Sequence, residues 1–557
     1  MERLNQTRDG LPVKTSVAAA VVVLVCLFAH LGAIGLVGPD EPRYAWIARA
    51  MSTSGDWVTP RLFGSPWFEK PVLFYWVAAI GFQLHLPPEW AARLPSALGA
   101  LLAALVLGWL AHKFYRERKS KGLKAALLAP LLFSTSVAAI GFARAATPDM
   151  LFCAMLTLSM ACAIMALDRA GVFSAGAELT SREKQNDLVP LSLFGASLGL
   201  SVLAKGPAAI VLAGGAIGAW AVSTRNWRAA IRFLHPIAIV SFSVIALPWY
   251  VLCAIRNPDF VRVFIFEHNF ERYLTPLFQH KQPFWYFGPI VCLGLLPWTV
   301  LLIPVTQKGL RLWRENSWAD SPGFFLAWWA IFPILFFSLS QSKLPGYVLP
   351  AIPPIVLLCT PCAARMSHMS GVTRMAVAAG IGAVWVGFAL CGLHFINRLP
   401  RSLLDQTGLL RVAWLFIPSS VLLAIVFVFW GTRRKSEFSI ALCVICVALT
   451  VEFANLRILP IFDRVYSARP YAELVRHDRR PDRIFAWNLK RNWDYGFAFY
   501  FGRELPQWSP ADHEPALVLT TPEGLRELER LGRFDGSLDE PWGEVLFVPV
   551  QPAPHGN

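Results

Sequence analysis

The chain has 557 residues, 55% of them hydrophobic, with a formal net charge of +15, a mean hydropathy of +0.48 and 22 tryptophans. This composition excludes a soluble globule and a disordered chain, and describes a polytopic α-helical membrane protein. The positive balance does not point to nucleic acid: Lys and Arg gather in short connectors between apolar runs, where they set orientation and meet anionic headgroups.

In chain order, the first apolar run, about 15–37, follows Arg3, Arg8 and Lys14 and is too long for a cleavable leader. Crossing a bilayer takes about 20 apolar residues. Further runs near that length fall at about 94–111, 124–142, 149–168, 190–204, 207–224, 234–255, 285–306, 323–340, 345–364, 375–395, 411–430 and 438–456, which predicts thirteen spans. One more segment, 67–88 (WFEKPVLFYWVAAIGFQLHLPP), passes on hydropathy but is read as lying in the interface. The positive-inside rule decides the point. With 67–88 uncounted, Lys113, Arg116, Arg118, Lys119, Lys121 and Lys124 fall inside, as do the basic connectors at Arg169, Arg225, Lys308, Arg365 and Arg433. Counting it as a span would turn all of them outward.

The outer side then carries two elaborate loops, 39–93 and 256–284, the first with amphipathic helices at 41–52 and over the interfacial segment. An odd number of spans also leaves the tail outside. Residues 1–456 are predicted to form the membrane domain. Residues 457–557 are predicted to form a small soluble α/β domain with β-like runs RIFAW, FAFYF, ALVLTT and EVLFVPV and a Thr-capped helix in TPEGLRELERLG. All ten cysteines lie in apolar runs, so the CxxC pairs Cys359/Cys362 and Cys443/Cys446 read as small core residues rather than a metal or redox site.

Charged residues of both signs collect on the outer side. Asp40-Glu41-Pro42-Arg43 follows the first span, where Asp40 also reads as a helix N-cap. Glu69 and Lys70 open the interfacial segment; a Lys there fits either a phosphate at headgroup depth or a snorkelling anchor. Asp149 follows Thr147-Pro148, again with a capping alternative, and Lys205, Lys343 and Tyr347 sit at outer span ends. In the second loop, Arg256, Arg262 and Arg272 suit bidentate phosphate binding. Glu267 and His268, or Glu69 with His268, are candidate divalent-metal ligands, but a third ligand at helical spacing is missing. Carboxylates beside Lys and Arg at the bilayer surface suit a reaction in which a lipid-linked phosphate leaves. The sequence holds no Gly-rich nucleotide cradle.

The run PDEPRYAWIARAMSTSGDWVTPRLFGSPWFEKP, with ATPD, AKGP, RNPDF, FEHNFERY, PFWY and SKLPGYVLP in order over about 30–365, resembles bacterial lipid-carrier-dependent glycosyltransferases of the GT-C fold. Within them it is most similar to the 4-amino-4-deoxy-L-arabinose lipid A transferases, relatives of the protein O-mannosyltransferases. The resemblance implies inverting transfer of aminoarabinose from undecaprenyl phosphate to lipid A phosphate, on the periplasmic face of a Gram-negative inner membrane, giving polymyxin resistance. It implies no required cofactor and a monomer among membrane lipids. It carries over Asp40 and Asp149 as acidic active-site residues and Lys70 as the carrier-phosphate ligand, with Arg43, Glu69, Arg256 and Tyr347 nearby. A different prenyl-phosphate sugar passed to another glycolipid or to protein Ser/Thr is the alternative, because related enzymes share DE-x-RY and FEKP. A transporter would instead show charges at mid-span and paired broken repeats.

Overall fold

The computed structural model describes residues 13–114, 119–173, 188–271, 281–315, 318, 321–397, 409–432, 436–477, 483–512, 514–532, 534 and 544–550. Among these, seven helices are long and apolar enough to cross a membrane, or nine if each of two bent pairs is one span. Five shorter apolar helices, Val13–Phe28, Leu73–Gln83, Ala208–Thr224, Pro322–Ser338 and Phe416–Gly431, accompany them. The chain is a multi-pass membrane protein. An apolar helix stands at each of the thirteen predicted positions, but length and composition alone license seven to nine crossings rather than thirteen.

The Leu73–Gln83 helix has 11 residues. At 1.5 Å per residue it reaches about 16 Å, roughly half of the hydrocarbon thickness. Its partner in the 39–93 segment, Asp40–Ser54, closes on Gly55 in the left-handed conformation at φ 72°, a geometry that suits glycine.

Three predicted spans are not continuous. The first helix stops at Phe28, because the stretch from Leu31 to Val37 gives its backbone groups to side chains from elsewhere in the chain rather than to a helix. The 124–142 run bends by 65° between Leu123–Ser134 and Val137–Ala143, and the 285–306 run by 105° between Phe284–Gly294 and Trp298–Arg314. Pro297, which has no backbone N–H, sits at the second break. The two breaks satisfy each other: Val137 N donates to Leu296 O at 3.0 Å, and Trp298 Nε1 donates to Thr135 Oγ1 at 2.9 Å. Backbone broken at membrane depth needs such partners, since lipid offers none.

Helical structure runs past the predicted boundary at 456, through Ala454–Ile458 and Leu459–Tyr466. Beyond it lies a three-stranded sheet, Ile484–Trp487 parallel to Ala516–Thr520, which pairs antiparallel with Leu546–Val550. FAFYF is not a strand. It forms the last turns of the Arg491–Phe501 helix, ended by Gly502 at φ 75°, and buries Trp493 and Phe497 with Tyr471 and Phe547. Continuous aromatic runs fit a buried helix face as well as a buried strand. Thr521 caps the Pro522–Arg530 helix by accepting from Gly524 N at 3.3 Å, as expected from TPEG.

Candidate active site

The charged residues singled out in the 39–93 segment meet at one place. Asp40 is the first residue of its helix. Pro39 holds the N-cap position without a side-chain bond, so capping is not what occupies the Asp40 carboxylate. Instead Asp40 Oδ1 accepts from Arg43 Nη2 at 2.6 Å, and the same nitrogen pairs with Glu69 Oε2 at 2.9 Å. Glu69 Oε1 in turn faces Lys70 Nζ at 3.5 Å. Arg43, 7% exposed at its side chain, lies over the Trp67 and Tyr44 rings at 5.5 and 5.1 Å. Asp40 keeps 54% of its side chain open while Glu69 keeps 10%. Desolvation by the surrounding protein raises the Asp40 carboxyl above its ordinary value; Arg43 opposes this and the Glu69 charge adds to it.

A second group approaches from the spans. Asp149 lies in the first turn of the Pro148–Arg169 helix, where the dipole favours a carboxylate. Thr147 makes no capping bond, and Asp149 Oδ1 instead accepts from Lys205 Nζ at 2.5 Å. The Lys205 ammonium also stands over the rings of Tyr347 and Phe152 at 5.1 and 5.6 Å. The backbone of Gly346 runs so close that a Cβ there would lie 2.5 Å from Asp149 Oδ1. The two groups share one electrostatic environment, because Lys70 and Asp149 both act on Asp40.

Glu41, its carboxylate buried, ties the groups together. It accepts from Val37 N at 2.9 Å, from Ala146 N at 2.7 Å, and from Arg93 through both oxygens, Nε at 3.1 Å and Nη2 at 2.8 Å. Arg93 also donates to the carbonyls of Leu31, Ile34 and Gly35 at 2.5–2.7 Å. One buried carboxylate thus joins the turn that starts the Asp40 helix to the strand of chain that leads into Asp149. The C-terminal segment grips the same turn. Asp463 Oδ1 accepts from Gly35 N at 2.6 Å, Tyr500 Oη accepts from Leu36 N at 2.8 Å and donates to Glu89 at 2.9 Å, and Arg469 donates to Gly32 O at 2.9 Å.

Beside Glu69 opens a cavity of about 480 Å³, lined by Trp67, Phe68, Arg256, Asn257, Arg262 and His268 among others. Arg256, half exposed, faces Asp56 at 3.3 Å, and Asn257 donates to Thr59 Oγ1 at 3.0 Å, which fixes the second loop on the first. Glu267 is held by Arg262 at 2.5 Å. Lys343 is buried, with Nζ donating to Ser340 O at 2.5 Å within its own turn. Arg272 lies outside the described residues. Among the described residues no group of three or more His, Cys, Asp or Glu is arranged to hold a metal, and Glu69 is committed to Arg43 and Lys70.

Glu41, Arg93, Arg469, Asp463 and Tyr500 were not foreseen from the sequence. The only available signal was that Arg93 interrupts an apolar run and Glu41 doubles an acidic residue, and both have plain explanations at span ends.

Three comparisons bear on this arrangement. The family model for dolichyl-phosphate-mannose-protein mannosyltransferases matches residues 13–264. An undecaprenyl phosphate-alpha-4-amino-4-deoxy-L-arabinose arabinosyl transferase from Edwardsiella ictaluri is 33% identical over 333 residues, 60% of this chain and 56% of that protein. A protein of the same name from Yersinia pestis is 32% identical over 386 residues, 67% of this chain and 66% of that protein. The chain thus spans a little over half the length of the first curated relatives it matches. The structure of ArnT from Cupriavidus metallidurans bound to undecaprenyl phosphate superposes with a TM-score of 0.75 over 97% of this chain and 98% of that one, at 24% identity. Its apo form gives 0.74. The fold is therefore the GT-C fold of the ArnT structures. The likeness in fold extends over nearly the whole of this chain.

Proposed function

We propose that the protein transfers 4-amino-4-deoxy-L-arabinose from undecaprenyl phosphate to a phosphate of lipid A, on the periplasmic face of the Gram-negative inner membrane, and so confers resistance to polymyxin and cationic peptides. The observation that carries the reading is the meeting of Asp40, Arg43, Glu69 and Lys70 with Asp149 and Lys205 beside a cavity lined by Arg256. The names of the similar proteins support the choice of donor.

In this reading the carrier phosphate lies between Lys70 and Arg256, which neutralise the charge that grows on it as the glycosidic bond breaks. The acceptor phosphate is already anionic, so it attacks the anomeric carbon without a strong base, and the configuration inverts in one displacement. Asp40, more open than Glu69, orients the incoming group or pairs with the sugar's ammonium, while Arg43 and Glu69 hold it in place. Asp149, fixed by Lys205 beneath Gly346 and Tyr347, completes the acidic wall. No metal is needed, since cationic side chains supply the positive charge, and a monomer suffices.

The test is a reconstituted assay with purified protein, lipid-linked aminoarabinose and lipid A. Transfer is expected from the intact chain, with Lys70→Ala and Asp40→Asn slower by about 10²–10³-fold at unchanged fold. Transfer at full rate by both variants would remove these residues from the mechanism. Failure of the intact chain with this donor, but transfer from another prenyl-phosphate sugar, would replace the substrate and keep the class.

A further inference from the structure

The span Pro345–Ala364 has the candidate site at one end, with Gly346 and Tyr347, and Arg365 just beyond the other. Twenty residues rise about 30 Å, so Arg365 stands at the opposite membrane surface. There, beyond the 105° bend, the Leu302–Arg314 helix presents Gln307, Lys308 and Arg311 to Arg365, His368 and Thr373 across a cavity of about 450 Å³. No Asp or Glu is among its lining residues. Arg311 Nε is taken by Glu315 at 2.8 Å, but among the described residues neither Lys308 nor Arg365 has a carboxylate partner. Cys362 lines the same cavity as both cations.

Lys308 and Pro361 also line a second cavity, of about 600 Å³. Its walls are largely apolar, including Leu312, Trp313, Trp318, Phe324 and Leu358. It opens where Phe114 ends the Pro88–Phe114 helix and Pro322 begins the Pro322–Ser338 helix, at the same surface as Arg365. Trp313 is 67% exposed, in the position favoured by interfacial tryptophan.

A cationic chamber and an apolar slot that meet at one lysine match the two parts of a phospholipid. We infer that this pair of cavities binds one anionic phospholipid of the leaflet opposite the candidate site, its phosphate between Lys308 and Arg365 and an acyl chain in the slot. A free phosphate ion would use the first cavity but leave the second without a purpose. Two cations with no carboxylate between them favour a lipid of net negative charge over a zwitterionic one. The inference is independent of which sugar the protein transfers.

The experiment is native mass spectrometry and thermal unfolding of the purified full chain in neutral detergent, titrated with phosphatidylglycerol, with phosphatidylcholine, and with inorganic phosphate. Phosphatidylglycerol is expected to bind one to one and to raise the melting temperature, with phosphatidylcholine at least tenfold weaker. Lys308→Gln with Arg365→Gln should weaken phosphatidylglycerol roughly thirtyfold, about fivefold for each charge removed. Ala327→Trp, which fills the slot and leaves both cations in place, should also weaken it, and serves if the charge variant does not fold. Equal binding of the two lipids, full competition by millimolar phosphate, or unchanged affinity in these variants would each overturn the assignment.

Discussion

Glu41 and Arg93 form a two-pronged ion pair, with the Arg93 side chain 2% and the Glu41 side chain 7% exposed, and Arg93 spends its remaining donors on three carbonyls of the turn that precedes Asp40. The pair is the joint of the site. It couples the start of the Asp40 helix to Ala146, three residues ahead of Asp149.

Replacing Glu41 by Gln leaves a guanidinium buried without its counter-charge, and about 3–5 kcal/mol of stability should be lost. Arg93→Met should lose at least as much. The double variant Glu41→Leu with Arg93→Met is not expected to recover, unlike a simple buried pair, because the carbonyls of Leu31, Ile34 and Gly35 and the amides of Val37 and Ala146 stay orphaned. Thermal unfolding of the three variants checks this, and a restored melting temperature in the double variant would contradict it.

Asp40 predicts a pH dependence. Its carboxyl titrates above the ordinary aspartate value because of desolvation, with Arg43 holding it partly down. A carboxyl raised by folding favours the folded state while protonated, and that contribution disappears as pH rises through the raised value. In the proposed function the ionised group is the one turnover needs, and it is therefore carried at some cost to stability. The acid limb of the rate profile should lie above that of a free aspartate, Arg43→Gln should move it further up, and Asp40→Asn should melt no lower than the intact protein while losing turnover. A limb that stays in place in Arg43→Gln would separate Asp40 from the limiting ionisation.

Gly346→Ala should act through Asp149. The added Cβ would sit 2.5 Å from Asp149 Oδ1 and 3.0 Å from Phe142, in a place where Lys205 already fixes the carboxylate. A displacement of this size costs about a hundredfold in rate when it falls on a positioned group. Steady-state kinetics should show the loss mainly in kcat, with carrier affinity near that of the intact chain. A loss confined to KM would place Asp149 in binding alone.

Tyr500→Phe tests the grip of the C-terminal segment. The hydroxyl serves Leu36 N and Glu89 together, both in partly buried positions, and its removal should cost about 1–3 kcal/mol. Hydrogen exchange should rise at residues 32–37 and stay unchanged in the Ile484–Trp487 strand. Uniform change across the chain would indicate general destabilisation instead.

Much of the candidate site was legible because charge is conspicuous in an apolar chain. Asp40, Arg43, Glu69, Lys70, Asp149 and Lys205 each interrupt or end a hydrophobic run on one predicted side, and they converge. Lys343 follows the same pattern, yet its ammonium donates to the carbonyl of Ser340; a lysine at a span end looks alike whether it faces a ligand or a backbone carbonyl. Glu41 and Arg93 were hidden for the converse reason, since their partners lie 52 residues apart and mostly on backbone atoms that carry no sequence signal. The breaks at Ser134–Val137 and Gly294–Trp298 were missed because hydropathy counts apolar residues and does not register bends. Pro297 marked only one of the two. FAFYF was misjudged because a short aromatic run has no period, and the sheet it packs against decides its conformation.

The most direct measurement of the central claim is the mass of lipid A from a polymyxin-sensitive strain that makes the lipid-linked aminoarabinose, lacks its own transferase, and expresses either the intact chain or Lys70→Ala. The account predicts lipid A carrying the aminoarabinose increment with the intact chain and unmodified lipid A with the variant at equal protein level. Unmodified lipid A with well-folded intact chain, or full modification with Lys70→Ala, would contradict it.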